Sequence, residues 1–184
     1  MRIAAPLILA IVTLPAAAAP LTVDYSKSEI TFVSKQMNVP VDGLIRKFAL
    51  QLDFDAKKPE AGTAKIELDA ASIDAGSDEA NAELVKRGWL DAAKFPKVQF
   101  VSSSVKAVAG GRYEVTGKMT IKGITRDVTA PFTVKAQGNA QLFEGAFVLK
   151  RMEFKIGEGP WSDTETVADE VQIRFKVLAS PAPK

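Results

Sequence analysis

The sequence predicts a mainly β fold, an extended antiparallel β-barrel of about eight strands with a short helical insertion. Apolar and polar residues alternate with a period of two through most of the chain beyond residue 20, as strands with one buried face require. Turn-forming residues punctuate those runs, and only one segment has a helical composition. Strands following one another in meander order favour closure, because a closed sheet has no free edge to aggregate. A two-sheet sandwich, usually built with Greek-key crossings, is the alternative architecture. A barrel of about eight strands is wide enough to be filled by side chains or to hold one small ligand.

Taken in order, the chain opens on Met1-Arg2, an apolar run from Ile3 to Leu14 and a small-residue tract from Ala16 to Ala19. These are the three parts of a secretory leader, with cleavage expected after Ala18. The apolar run is shorter than the roughly 20 residues a membrane-crossing helix needs. The chain therefore divides into a signal peptide over 1–18, one barrel domain over 19–179 and a disordered tail over 180–184, and the leader predicts a periplasmic location.

Leu21 to Tyr25 reads as a short strand, and Glu29 to Met37 as a second, with Ile30, Phe32, Ser34 and Gln36 on one face. After a break at Asn38 to Pro40, Leu44, Phe48, Leu50, Leu52 and Phe54 share one face of a longer run; Ile45 is out of step, and Gly43 suggests a bulge there. Beyond the turn at Lys57 to Gly62, Thr63 to Asp69 returns with Ala64, Ile66 and Leu68 inward. Ser77 or Asp78 caps a short helix running to about Arg87, and Gly88 ends it. Strands resume at Val98 to Lys106, with Val98, Phe100, Ser102 and Ser104 inward. A hairpin follows from Arg112 to Gln137, in which Lys122-Gly123 supplies the residue tolerant of positive φ that a tight turn needs. Its inward positions are Tyr113, Val115, Gly117, Met119 and Ile121, then Val128, Ala130, Phe132, Val134 and Ala136. A long strand from Leu142 to Ile156 changes inward parity near Leu149, from Phe147 and Leu149 to Met152, Phe154 and Ile156, which one bulge explains. Gly157 to Ala168 is a loop, and Val171, Ile173, Phe175 and Val177 mark the last strand.

Composition excludes several functions. Loss of Arg2 with the leader leaves 23 Lys+Arg against 22 Asp+Glu, so no strong field recruits nucleic acid or an anionic surface. Neither Cys nor His occurs. Disulfides, thiolates, Ser-His-Asp arrangements and the commonest metal ligand are therefore all missing. Asp53 and Asp55 lie on an outward parity, and Asp163, Glu165, Asp169 and Glu170 match no ordered cation loop. The sequence thus predicts no catalytic residue, no metal site, no cofactor and no nucleic-acid partner.

Three pieces carry a more specific signal: Ser72-Ile73, the segment WLDAAKFPKVQF from Trp89 to Phe100, and the segment GKMTIKGIT from Gly117 to Thr125. In that order, at compatible spacing and behind a leader, they resemble the YceI-like family of periplasmic, lipocalin-like, polyisoprenoid-binding proteins. The resemblance covers nearly all of the mature chain. It implies a lipocalin-like barrel closed partly by a helix, whose apolar interior takes up a long isoprenoid or acyl chain such as a quinone or polyprenyl phosphate. It also implies a carrier rather than an enzyme, a transfer partner in the inner membrane, and dimers, which several members form. The family pattern F-x-x-x-H is met here by Phe32 followed by Gln36, and Ile45 stands where Phe is common, so no role needing an imidazole carries over.

A long apolar ligand needs a dry, elongated cavity with a few polar groups near its mouth. Inward parity nominates Ile30, Phe32, Phe48, Leu50, Ile66 and Leu68 in the first half of the chain as tunnel wall. Phe100, Met119, Phe132, Phe147, Phe154 and Phe175 are the corresponding positions in the second half. Alternation identifies the face but not whether a void lies beyond it. A barrel filled by its own side chains, in an interaction or stress-protective protein, is therefore the alternative. Among polar residues on apolar faces, Gln36 and Arg46 are expected at the mouth, against a carbonyl, hydroxyl or phosphate head group; a bulge near Gly43 would instead turn Arg46 to solvent. Trp161 is expected as a lid and Trp89 as a seal at one end.

Overall fold

The computed structural model describes residues 20–182, so the predicted leader and the last two positions of the predicted tail lie outside the described residues. Within that range the strands are β1 (Pro20–Val23), β2 (Glu29–Gln36), β3 (Val39–Ile45), β4 (Phe48–Asp53), β5 (Thr63–Asp69) and β6 (Ile73–Asp74). After helix α1 (Asp78–Leu84) come β7 (Lys97–Val108), β8 (Arg112–Ile121), β9 (Ile124–Gln137), β10 (Ala140–Lys150) and β11 (Glu170–Pro181).

All pairings are antiparallel, and eight strands close a ring in the order β1, β4, β5, β7, β8, β9, β10, β11 and back to β1. The fold is thus the closed barrel with one helix that the sequence predicts. Long β11 does double duty at the seam. Its C-terminal end pairs with β1, from Val23 with Ala179 to Leu21 with Pro181, while its first half pairs with β2, from Gln172 with Val33 to Lys176 with Glu29. A single 3-10 turn at Tyr25–Lys27 separates β1 from β2, capped by the Asp24 carboxylate accepting from Ser26 N. Beyond β2 the wall continues through β3 to β6.

The central hairpin forms as expected: Lys122 and Gly123 both take positive φ, 51° and 73°, as a two-residue turn of this hand demands. Its outer face carries Thr116 against Thr129 and Thr120 against Thr125, with hydroxyl pairs at 2.9 and 2.8 Å. In α1 the Ser77 hydroxyl accepts from Ala80 N at 3.2 Å, so Ser77 is the cap. The helix stops at Leu84 rather than Arg87 because the returning chain takes its last carbonyls, Leu90 N donating to Leu84 O and Ala92 N to Val85 O.

Four local expectations are corrected. The long run from Leu44 is two strands, broken at Arg46-Lys47, and Gly43 is a regular ladder position opposite Phe32 rather than a bulge. The register shift lies instead in β7 between Ser102 and Ser104, which brings Val105 into the core. Strand β10 ends at Lys150 and gives way to a 3-10 turn at Arg151–Phe154, so inward parity runs unbroken from Phe147 and Leu149 to Arg151. Finally, Ser180 and Pro181 are strand rather than tail, because β1 needs their pairing to close the ring.

Candidate functional site

The barrel surrounds a mostly apolar cavity of about 650 Å³, within the roughly 300–1,000 Å³ of small-molecule sites. Its floor is aromatic. Phe54, 4% exposed, meets Tyr113 and Phe143 edge to face with ring centroids 5.2 and 5.3 Å away, and Phe132 closes the group at 6.0 Å. Val23 and Ala179 pack around them.

Along the wall, Phe32, Leu50, Ile66, Leu68, Met119, Phe147 and Phe175 all line the cavity, and each is only half-buried. An inward side chain that is not fully buried has space beyond it. Three strand glycines make part of that space. A Cβ on Gly43 would overlap the ring of Phe32, one on Gly117 the ring of Phe100, and one on Gly145 the ring of Phe175. Each ring lies flat on a neighbouring strand instead of crossing the lumen.

The opposite end is capped by α1 and the chain from Arg151 to Asp169. The second apolar cluster sits here, with Trp89, Leu90, Ile121, Leu149, Phe154 and Val167. Trp161 donates its indole N–H to Glu83 Oε1 at 3.2 Å and packs on Trp89 at 5.6 Å between centroids. Lys86 Nζ holds Glu83 Oε2 at 2.5 Å. Lys86, and after it Trp161, hold the Glu83 carboxyl below the usual carboxylate range.

Arg151 organises this cap. Only 1% exposed, it spends all five of its donors on carbonyls: Nε on Ala168, Nη1 on Ile156 and Gly157, and Nη2 on Trp161 and Val167, at 2.6 to 3.2 Å. Burial pulls its pKa down and the Asp169 charge opposes the shift. The hairpin signature reaches the same end, where Lys122 Nζ binds Lys155 O at 2.8 Å and Glu158 at 2.7 Å, and Gly123 leaves room for the Phe95 ring.

Of the residues predicted for the tunnel wall, Ile30, Phe32, Leu50, Ile66, Leu68, Phe100, Met119, Phe132, Phe147 and Phe175 line the cavity. Phe48 does not; it packs against Tyr25 at 5.4 Å, whose hydroxyl is fixed by Leu50 N. Phe154 does not either, because the 3-10 turn takes it out of the barrel wall into the cap core at 1% exposure. Gln36 lines the cavity and is also exposed, which puts it at the rim, held by a bridge to Val167. Trp161 lines the capped end. Arg46 stands away from the cavity, its side chain 62% exposed and paired with Asp74, with the break at Arg46-Lys47 turning it outward. Ser102 is satisfied by Ala64 N at 2.8 Å. Arg151 and Glu83 were missed. Unbroken parity through Leu149 would have placed Arg151 inward; Glu83 carries no signal beyond its place on a short helix.

A closed antiparallel barrel around a largely apolar cavity defines the class of protein, a β-barrel with a hollow interior. The YceI-like domain family matches residues 21–179, and the chain belongs to that family. It is similar to BcnA of Burkholderia cenocepacia, with 45% identity, a TM-score of 0.84, and coverage of 86% of this chain and all of that one. A UPF0312 protein of Pseudomonas savastanoi pv. phaseolicola is 31% identical over 131 residues, 67% of this chain and 68% of its own. A polyisoprenoid-binding domain from Saccharophagus degradans shares the fold, with a TM-score of 0.68 at 11% identity over 90% of this chain and 99% of that one.

Proposed function

We propose that this protein binds one long-chain isoprenoid or similar lipid inside its barrel and acts as a carrier or sequestering protein rather than an enzyme. The observation that carries the reading is the cavity itself: a continuous apolar space running from the Phe54 floor to the Trp161 cap, lined by inward side chains that do not fill it. A self-filled barrel, the alternative, would have those side chains fully buried. The fold it shares with a polyisoprenoid-binding domain supports the same class of ligand.

The lining also bears on the head group. Its charged members are Asp53, Glu79, Glu83 and Arg151, and Arg151 has no donor to spare. A phosphate would meet carboxylates without a free cation among the described lining residues, so an uncharged head group such as a quinone fits better than a polyprenyl phosphate. Gln36, whose side chain makes no hydrogen bond among the described residues, offers an amide at the rim. A periplasmic location, exchange with a membrane partner and a homodimer belong to this proposal through the leader-like segment and the family resemblance.

Native mass spectrometry of protein isolated from the periplasm, followed by lipid extraction, tests it. The expected result is a bound mass that extracts as an isoprenoid, with unfolding free energy raised by about 2.7 kcal/mol at a hundredfold excess over Kd. A ligand-free mass that added isoprenoids leave unchanged would favour the self-filled alternative.

A further inference from the structure

Trp89 has a buried donor that the protein leaves unmet. The residue is 9% exposed and lines the cavity, yet its Nε1 has no hydrogen-bond acceptor among the described residues. Buried N–H groups are almost always paired, so an exception at the wall of a binding cavity asks for an acceptor from elsewhere. The neighbouring acceptors carry other partners. The nearest is Glu83, close enough for Trp89 to help lower its pKa although no hydrogen bond closes between the two; its Oε1 takes the Trp161 N–H and its Oε2 takes Lys86. The carbonyls of Ile156, Gly157, Trp161, Val167 and Ala168 converge on Arg151, whose guanidinium sits 5.9 Å from the Trp89 ring centre.

We propose that the indole N–H of Trp89 is the head-group donor of the cavity, and that it selects chains ending in an uncharged oxygen acceptor such as a ketone or hydroxyl. This rests on the lipid-binding reading and adds to it the group that recognises the polar end. Each feature of the surroundings narrows the ligand. An N–H needs an acceptor, so a purely donating cation gains nothing from Trp89. An anionic acceptor would sit beside the Glu83 and Glu79 carboxylates with no unspent cation among the described lining residues. A bare hydrocarbon would leave the N–H as it is. Trp161 differs from Trp89 in this respect, since its own N–H is already satisfied by Glu83.

The experiment compares geranylgeraniol, geranylgeranyl phosphate and the corresponding hydrocarbon as probes for the wild-type protein and for Trp89→Phe. Wild type is expected to favour the alcohol over the hydrocarbon by about fivefold, the worth of one hydrogen bond, and to bind the phosphate more weakly than the alcohol. In Trp89→Phe the preference for the alcohol over the hydrocarbon is lost, whatever change in affinity the two probes share through the smaller ring. In wild type the indole N–H resonance of Trp89, assigned with Trp161→Phe, moves downfield with the alcohol and not with the hydrocarbon; this readout stands even if Trp89→Phe fails to fold. Retention of the alcohol preference in Trp89→Phe, or an indole resonance that responds equally to both probes, overturns the assignment while leaving the lipid-binding reading intact. Failure of all three probes to bind overturns both.

Discussion

A phenylalanine pointing into a barrel narrows it unless the ring has somewhere to lie. Gly43, Gly117 and Gly145 provide those places, and their partners Phe32, Phe100 and Phe175 are all cavity-lining. At Gly145 the fit is closed on two sides, since a Cβ would meet both the Phe175 ring and the Pro131 carbonyl. Replacing Gly145→Ala is therefore expected to cost about 1–3 kcal/mol in chemical denaturation, the usual penalty for overpacking. It should also weaken isoprenoid binding, because the displaced ring can move only toward the lumen. The double variant Gly145→Ala with Phe175→Leu should recover most of the binding. If it recovers none, the contact with Pro131 dominates and the glycine's role is confined to the strand. This use of glycine was hidden in the sequence, where Gly43 looks like a bulge: one residue's identity does not say what lies across the ladder from it.

At the scale of elements, the cap depends on a chain segment with little regular structure of its own. The segment from Met152 to Asp169 is held chiefly through its carbonyls by Arg151 and through Trp161 by α1. Arg151→Met would leave five carbonyls short of a donor, so we expect a loss of at least about 3 kcal/mol. In a thermal scan that is a drop of roughly 6–12 °C for a chain of this length. The α1 contact adds a dependence on acid. The folded pKa of Glu83 lies below its ordinary value of 4.5, so its contribution is fully present above that pH and is lost as pH falls through the folded value. In a Trp89→Phe background, Trp161 emission should stay constant from neutral pH to about 4.5 and then shift. Glu83→Gln should shrink that shift without abolishing it, because Asp163 in the same segment is also held low, by Glu165 N and then Thr166. Emission that tracks pH identically in both proteins would detach α1 from the cap. The contrast with the barrel wall explains what the sequence can reveal. Strand positions such as Phe100 and Ile173 announce their face by period, whereas Trp161 meets Glu83 across 78 residues and Arg151 reaches carbonyls as far on as Ala168, through contacts that no local pattern encodes.

For the whole molecule, closure rests on a narrow seam. Among the described residues strand β1 is four residues long, and there it joins β4 through Pro20 and Leu21 and β11 through Leu21 to Val23. The residues beyond 179 supply part of this seam: Pro181 opposite Leu21, Ser180 opposite Thr22, and Ala182 N donating to Pro20 O at 3.3 Å. The same seam backs the aromatic floor, because Val23 and Ala179 pack on Phe54 and its neighbours. Removing residues 180–184 should therefore cost about 1–3 kcal/mol, a few hydrogen bonds' worth, and should deprotect β1 amides in hydrogen exchange before those of β7 to β10. It should also speed ligand release from the floor end while leaving Trp161 emission at the cap unchanged. Loss of the cap signal together with the floor would mean that the two ends unfold as one unit, and that the barrel has no independently opening end. Release that quickens with the cap intact would place an exit for the chain at the β1–β11 seam, opposite the end where Trp89 holds its head group.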